Sequence, residues 1–205
     1  MADMGTFRDA VVGWAAGEPG GAAEELARRL RVRTAVLLEG PSDRAAVETL
    51  AARHGRDLAA EGVCIVPMGG AMTVGRFAAL LGPPGLGLRL VGLCDENEQG
   101  FYQRGLERAG APGDGFFVCA ADLEDELVRA LGVPRVEDIV RAEGDLAAWQ
   151  TFGRQPAQQD RPPERRMRRF LGTKAGRKIR YGSLLTEALE PDQVPAPLRG
   201  LFRHL

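Results

Sequence analysis

The sequence predicts an α/β fold: a central, mainly parallel four-stranded sheet with helices on both faces. Three observations predict it. Short apolar runs alternate with helical patterns. The links between them are short and carry Gly or Pro. Three of the apolar runs stop abruptly in acid, at Glu39, Asp95 and the stretch Glu124-Asp125-Glu126. In a parallel sheet such strand ends share one edge, so carboxylates far apart in sequence meet in one cleft.

Taken in order, residues 1–31 read as an N-terminal helical extension interrupted at Gly20-Gly21, with Leu26 and Leu30 on one face of 22–31. Thr34–Leu38 is a continuous apolar run, which suits a strand covered on both faces. Gly40-Pro41 turns the chain, and Ser42 or Asp43 is a candidate cap for a helix over 45–56. Val63–Pro67 is the second strand, followed by the tight connection Met68-Gly69-Gly70-Ala71-Met72 and a helix carrying Val74, Phe77, Leu80 and Leu81. Gly82-Pro83-Pro84-Gly85 ends that helix. Residues 88–94 form the third strand, 101–109 a helix, 116–120 the fourth strand, and 123–131 a further helix. From Pro134 onward the pattern is mainly helical, with a polar loop at 156–163 and helices at 165–170 and 181–189. This divides the chain into the extension (1–31), an α/β domain (32–133) and a basic helical extension (134–205).

Charge is unevenly spread. Residues 92–145 hold 13 acidic and 5 basic side chains, while 161–181 hold 9 basic side chains and one acid, Glu164. Such a chain can hold a cation in one part and an anion in the other. Cys64, Cys94 and Cys119 share no close spacing and sit in apolar runs, which argues against a zinc site or a disulfide. There is no Gly-x-x-x-x-Gly-Lys-Ser/Thr and no Gly-x-Gly-x-x-Gly after a strand, which excludes an internal P-loop or dinucleotide site. No signal peptide or bilayer-length apolar run is present, so a cytoplasmic location without membrane contact is expected.

Glu39 directly follows three apolar residues, where a charge is costly without a partner. Asp43 is either a helix cap or a ligand. Asp95 ends the run Leu-Val-Gly-Leu-Cys; of Glu96 and Glu98, one can turn toward a metal while the other faces water. Glu124, Asp125 and Glu126 open a helix, where acids also oppose the helix dipole. Clustered carboxylates repel and call for a hard cation such as Mg²⁺ or Mn²⁺. Arg165, Arg166, Arg168, Arg169, Lys174, Arg177, Lys178 and Arg180 are candidates to grip a phosphate backbone. The Gly69-Gly70 pair is a weak candidate to offer backbone N–H groups to an anion.

Glu39-Gly40-Pro41-Ser42-Asp43, Val66-Pro67-Met68-Gly69-Gly70, Asp95, and Leu123-Glu124-Asp125-Glu126-Leu127 follow one another in the order found in Toprim domains. The sequence most resembles the branch found in overcoming-lysogenization-defect (OLD) nucleases, over about residues 34–131. Gly176-Arg177-Lys178-Ile179-Arg180-Tyr181, Leu184-Leu185 and Val194-Pro195 resemble the C-terminal extension of that branch. The resemblance implies a Toprim-like Rossmannoid fold and metal-dependent DNA cleavage with one or two Mg²⁺ or Mn²⁺ ions. It implies Glu39 as metal ligand or general acid/base, Asp43 as the second acid of its motif, and Asp95 as the first Asp of Asp-x-Asp. It further implies Glu124 as ligand to a second metal, with Glu126 a further candidate, and Lys178 as a charge-stabilising group at the transition state, with Lys174 as its substitute. The chain departs from the pattern at Asn97, which stands where the second Asp is expected; Glu98 is the candidate replacement. The ATPase motif of OLD nucleases is also missing, which implies a free-standing Toprim protein that works either with a separately encoded ATPase or other protein, or alone. A catalytically impaired module that binds nucleic acid or joins a complex is the alternative that these two departures imply.

Overall fold

The structure, a computed structural model, describes residues 3–205, Ala175 by its backbone alone. The first two residues of the expected N-terminal extension therefore lie outside the described residues. Helices α1 (Met4–Ala16) and α2 (Gly21–Arg29) precede strand β1 (Thr34–Leu38). Then come α3 (Pro41–Arg53), β2 (Val63–Pro67), α4 (Val74–Leu81), β3 (Arg89–Asp95), α5 (Gln99–Arg108) and β4 (Phe116–Cys119). The remainder is helical: α6 (Leu123–Leu131), α7 (Val133–Ala142), α8 (Leu146–Gly153), α9 (Pro156–Gln159), α10 (Pro163–Leu171), α11 (Ala175–Glu187) and α12 (Ala196–His204).

The four strands form one parallel sheet in the order β2-β1-β3-β4. Strand side chains alternate between two cores. Val36, Leu38, Val63, Ile65, Val91 and Leu93 face a core built with α3, α6 to α8 and α10 to α12. Ala35, Leu37, Cys64, Val66, Leu90 and Cys94 face a core built with α1, α2, α4 and α5. Burial on both faces explains why the strands read as unbroken apolar runs. The change of face follows the direction of travel. The chain moves from β1 outward to β2 through α3, then back across the sheet through α4 and α5, as right-handed crossovers require. The three cysteines are free and buried.

Several boundaries differ from the sequence reading. The break between α1 and α2 falls at Gly17–Gly20 rather than at Gly20-Gly21, because Gly17 takes a left-handed φ of 109° as the C-cap of α1. Helix α3 begins at Pro41, four residues earlier than expected, because Pro is well suited to a first helical turn. The same rule puts a helical turn, α9, inside the expected loop at 156–163, and starts α10 at Pro163. Helix α11 begins at Ala175 instead of 181; Gly176 and the basic residues around it mask its apolar face in the sequence.

Candidate metal centre and nucleic-acid interface

The strand order reverses between β1 and β3, and the crevice outside the carboxyl ends of the strands at such a point is the usual ligand site of an open α/β sheet. β1 delivers Glu39 to this crevice and β3 delivers Asp95. Leu37 pairs with Gly92, so Glu39 falls level with Cys94, one step from Asp95. The carbonyl of Glu39 accepts hydrogen bonds from Gly69 N (3.0 Å) and Gly70 N (3.1 Å). These glycines adopt φ of 76° and 130°, which other residues reach only with strain. The Gly pair therefore braces the backbone of Glu39, and its N–H groups are already engaged instead of open to an anion.

After Asp95 the chain enters a 3₁₀ turn, Glu96–Glu98. Such a turn has three residues per revolution, so Glu98 comes round beside Asp95 while Glu96 and Asn97 are exposed. Oxygens of Glu39, Asp95 and Glu98 all lie within 4.8 Å of one another. Oxygen ligands on opposite sides of one divalent ion at 2.0–2.6 Å are about 4–5 Å apart, so this set needs little adjustment to share an ion. Glu98 Oε2 is buried without a hydrogen-bond partner. Burial first, and the Glu39 carboxylate second, raise the pKa of Glu98. Asp95 is pushed up to about 8 by burial, then by Glu39, Asp122, Glu98 and Asp43. An all-oxygen set with an orphaned carboxylate oxygen and mutual repulsion fits a hard divalent cation.

A second group of charges adjoins the first. Asp43 Oδ2 accepts from Gly40 N (3.0 Å) and so caps α3. Burial, then Glu124, raise Asp43 to about 7, while the Gly40 N–H and Lys178 oppose that rise. Ser42 does not cap the helix; its hydroxyl donates to Glu124 Oε1 at 2.5 Å. Glu124, only 3% exposed, is also paired through Oε2 with Lys178 Nζ at 3.2 Å. Burial lowers the Lys178 pKa, but Glu124 and Asp43 outweigh it and the net shift is upward. Helix α11 reaches this position because Gly182 packs against α3: a Cβ there would meet Ser42 O at 2.7 Å.

Residues 32–96 match the family model for the Toprim domain of overcoming-lysogenization-defect-like proteins. Residues 32–96 are an OLD-like Toprim segment. The C-terminal region of the Xanthomonas campestris pv. campestris OLD protein superposes with a TM-score of 0.64 at 24% identity, over 84% of this chain and 94% of that one. The C-terminal region of the Burkholderia pseudomallei OLD protein superposes with a TM-score of 0.63 at 20% identity, over 84% of this chain and 96% of that one. Both share the fold, including the helices beyond the Toprim segment. No curated protein matches the chain.

Beside the Toprim acids lies an open cavity of about 1150 Å³, whose lining includes Asn97, Asp122 and Glu124 together with Arg161, Arg165, Arg168, Arg169 and Lys178. The basic residues singled out in the sequence divide here. Arg165 and Arg169 line the cavity and are exposed. Arg168 also lines it but pairs with Asp122 (2.6 Å). Lys174 is exposed and lines a shallower hollow with Phe170 and Arg177. Arg177, with a side chain 7% exposed, pairs with Asp145 and stacks on Phe170. Arg166 lies over the Trp149 ring, and Arg180 pairs with Glu143. Glu126 is likewise occupied, accepting from Ala120 N (2.9 Å) and pairing with Arg129 (2.7 Å). Sequence reasoning missed Ser42 as the partner of Glu124 and Asp122 as both N-cap of α6 and partner of Arg168. Ser42 carries a signal, inside Glu-Gly-Pro-Ser-Asp; the Asp122–Arg168 pair spans 46 residues and carries none. No helix among the described residues is long and apolar enough to cross a membrane.

Proposed function

We propose that this chain is a metal-dependent DNA endonuclease that hydrolyses phosphodiester bonds with one or two Mg²⁺ or Mn²⁺ ions. The observation that carries the reading is the convergence of Glu39, Asp95 and Glu98 within 4.8 Å beside an arginine-lined cavity. These three residues would hold the first ion, and Asp43 and Glu124 are the acids available for a second. When bound, the metal supplies an activated water nucleophile and offsets charge on the leaving oxygen. Arg165 and Arg169 would hold the DNA backbone against the cleft through phosphate contacts. Lys178, 42% exposed on its side chain, can turn its ammonium from Glu124 toward a phosphate and offset negative charge developing on phosphorus. Glu98 compensates for Asn97, so the missing second Asp does not by itself disable the cluster. A separately encoded ATPase is proposed as partner on the family resemblance alone.

Nicking of supercoiled plasmid in Mn²⁺ tests the reading. Loss of a group that merely orients a metal ligand costs about 10–100-fold, so loss of a ligand itself should cost at least about 100-fold. Glu39→Gln and Asp95→Asn are expected to fall that far. Undiminished nicking in both variants would reject the site.

A further inference from the structure

A groove between α4 and α5 lies on the opposite face of the sheet from the arginine-lined cavity, and the function proposed above does not use it. It encloses about 480 Å³, within the range of natural ligand sites. Its lining includes Met72, Arg76, Phe101, Arg104 and Arg108, and no carboxylate. Met72 is 81% exposed and Phe101 43% exposed, so two large apolar side chains stand in solvent among three guanidinium groups. Arg104 lies over the Phe101 ring at 5.2 Å, and Arg76 is anchored by donating to Ala15 O at 2.6 Å. The floor is glycine: α4 and α5 approach so closely that a Cβ on Gly75 would meet Gly105 Cα at 3.1 Å.

The position of the groove ties it to the acids. Met72 follows Gly70, whose N–H bonds to the carbonyl of Glu39. Phe101 lies three residues beyond Glu98, in the first turn of α5. Because the strands are parallel and the links short, both residues lie at the carboxyl edge of the sheet, where Glu39 and Asp95 also lie. A cationic groove without acids suits a polyanion, and an exposed aromatic ring capped by an arginine suits the face of an unpaired base. Duplex DNA offers phosphates but no free base face.

We infer that the α4–α5 groove binds a single-stranded segment of the DNA substrate, stacking one base on Phe101 and Met72 and holding its phosphates with Arg104 and Arg108. The strand would run from the arginine-lined cavity, across the carboxyl edge, into this groove. This rests on the reading of the chain as a DNA-cleaving enzyme, and it adds a preference for substrates with an unpaired region at the cleavage site.

The test measures binding of a single-stranded oligodeoxynucleotide carrying one 2-aminopurine, in EDTA so that no cleavage runs. Base stacking on an aromatic ring contributes about 1–3 kcal/mol, so Phe101→Ala is expected to weaken binding by about 5-fold or more and to reduce the quenching of 2-aminopurine. Phe101→Trp is expected to retain both, which separates stacking from a fold defect. Arg104→Ala with Arg108→Ala is expected to lower the salt dependence by about 0.7 for each phosphate no longer held. If these variants bind as the parent does while Arg165→Ala with Arg169→Ala loses affinity, the groove assignment is overturned and the nuclease reading stands. If the groove variants lose binding while the parent fails to nick plasmid in Mn²⁺, the groove stands and the nuclease reading falls. A parent chain that binds no single-stranded DNA overturns the groove.

Discussion

Two neighbouring groups of acids at the carboxyl edge of one sheet are treated differently by the fold. Glu124 and Asp43 have an internal counter-charge: Lys178 pairs with Glu124, and Ser42 and the Gly40 N–H supply hydrogen bonds. Glu39, Asp95 and Glu98 bring oxygens within 4.8 Å of one another with no ion pair to any of them among the described residues, and Glu98 keeps a buried oxygen without a hydrogen-bond partner. The first group is offset in part by residues of the chain: Glu124 Oε2 is buried with the Lys178 ion pair and no hydrogen bond, and Asp43 is still pushed up to about 7. The second is at odds with itself until it gains protons or a cation. Acids brought together at a cost to the fold, without a cationic partner among the described residues, are what the proposed metal centre requires.

The contrast predicts opposite signs of stability change. Without metal near pH 8, Asp95→Asn or Glu98→Gln relieves repulsion and should raise the melting temperature while abolishing nicking. Lys178→Met strips a buried carboxylate of its counter-charge and should lower stability by about 1–3 kcal/mol, or about 2–4 °C per kcal/mol for a chain of this size. Differential scanning calorimetry of the three variants decides. The same sign in all three would erase the distinction.

A pH titration sharpens it. Asp95 has a folded value of about 8 and Asp43 of about 7, both above an unfolded carboxylate near 3.9. Groups raised on folding contribute stability that is fully present below the unfolded value and lost as pH rises through the folded one. The metal-free protein should therefore lose stability between about pH 4 and pH 8, and Asp95→Asn should flatten the curve. A metal-free chain that gains stability over that interval would show that these carboxylates are not raised.

A smaller effect concerns how Lys178 is held. Gly182→Ala forces a Cβ against Ser42 O, and overpacking of this kind costs about 1–3 kcal/mol. It should displace α11 and with it Lys178, lowering the turnover of nicking while Mn²⁺ affinity at the Glu39 cluster stays at the parent value. Unchanged turnover would mean that Lys178 does not need its present position.

The acids at strand ends were legible in the sequence because a buried strand is uniformly apolar and a charge at its end stands out. Glu39 and Asp95 are visible for that reason alone. The strands, the two-faced helix cover and the parallel sheet follow from the same alternation. The local pattern offers Glu98 only beside Glu96, since the choice depends on a 3₁₀ turn that it does not announce; the Toprim resemblance is what singles out Glu98. Partners across the chain were not legible: Glu124 with Lys178, Arg168 with Asp122, Arg177 with Asp145. The basic stretch showed its charge count but not that Arg177 and Arg180 have acidic partners within the chain. These pairings are set by the packing of α10 and α11 on the sheet domain and on the α7–α8 connection.

The central claim is that Glu39, Asp95 and Glu98 together hold a divalent cation. Isothermal titration of Mn²⁺ into the chain near pH 8 tests it most directly, with Glu98→Gln, Asp95→Asn and Asn97→Asp alongside. The account predicts that the parent binds Mn²⁺, that Asp95→Asn and Glu98→Gln lose the binding, and that Asn97→Asp matches the parent because Glu98 already supplies the third carboxylate and residue 97 is exposed. Mn²⁺ affinity that survives in both Asp95→Asn and Glu98→Gln would contradict it.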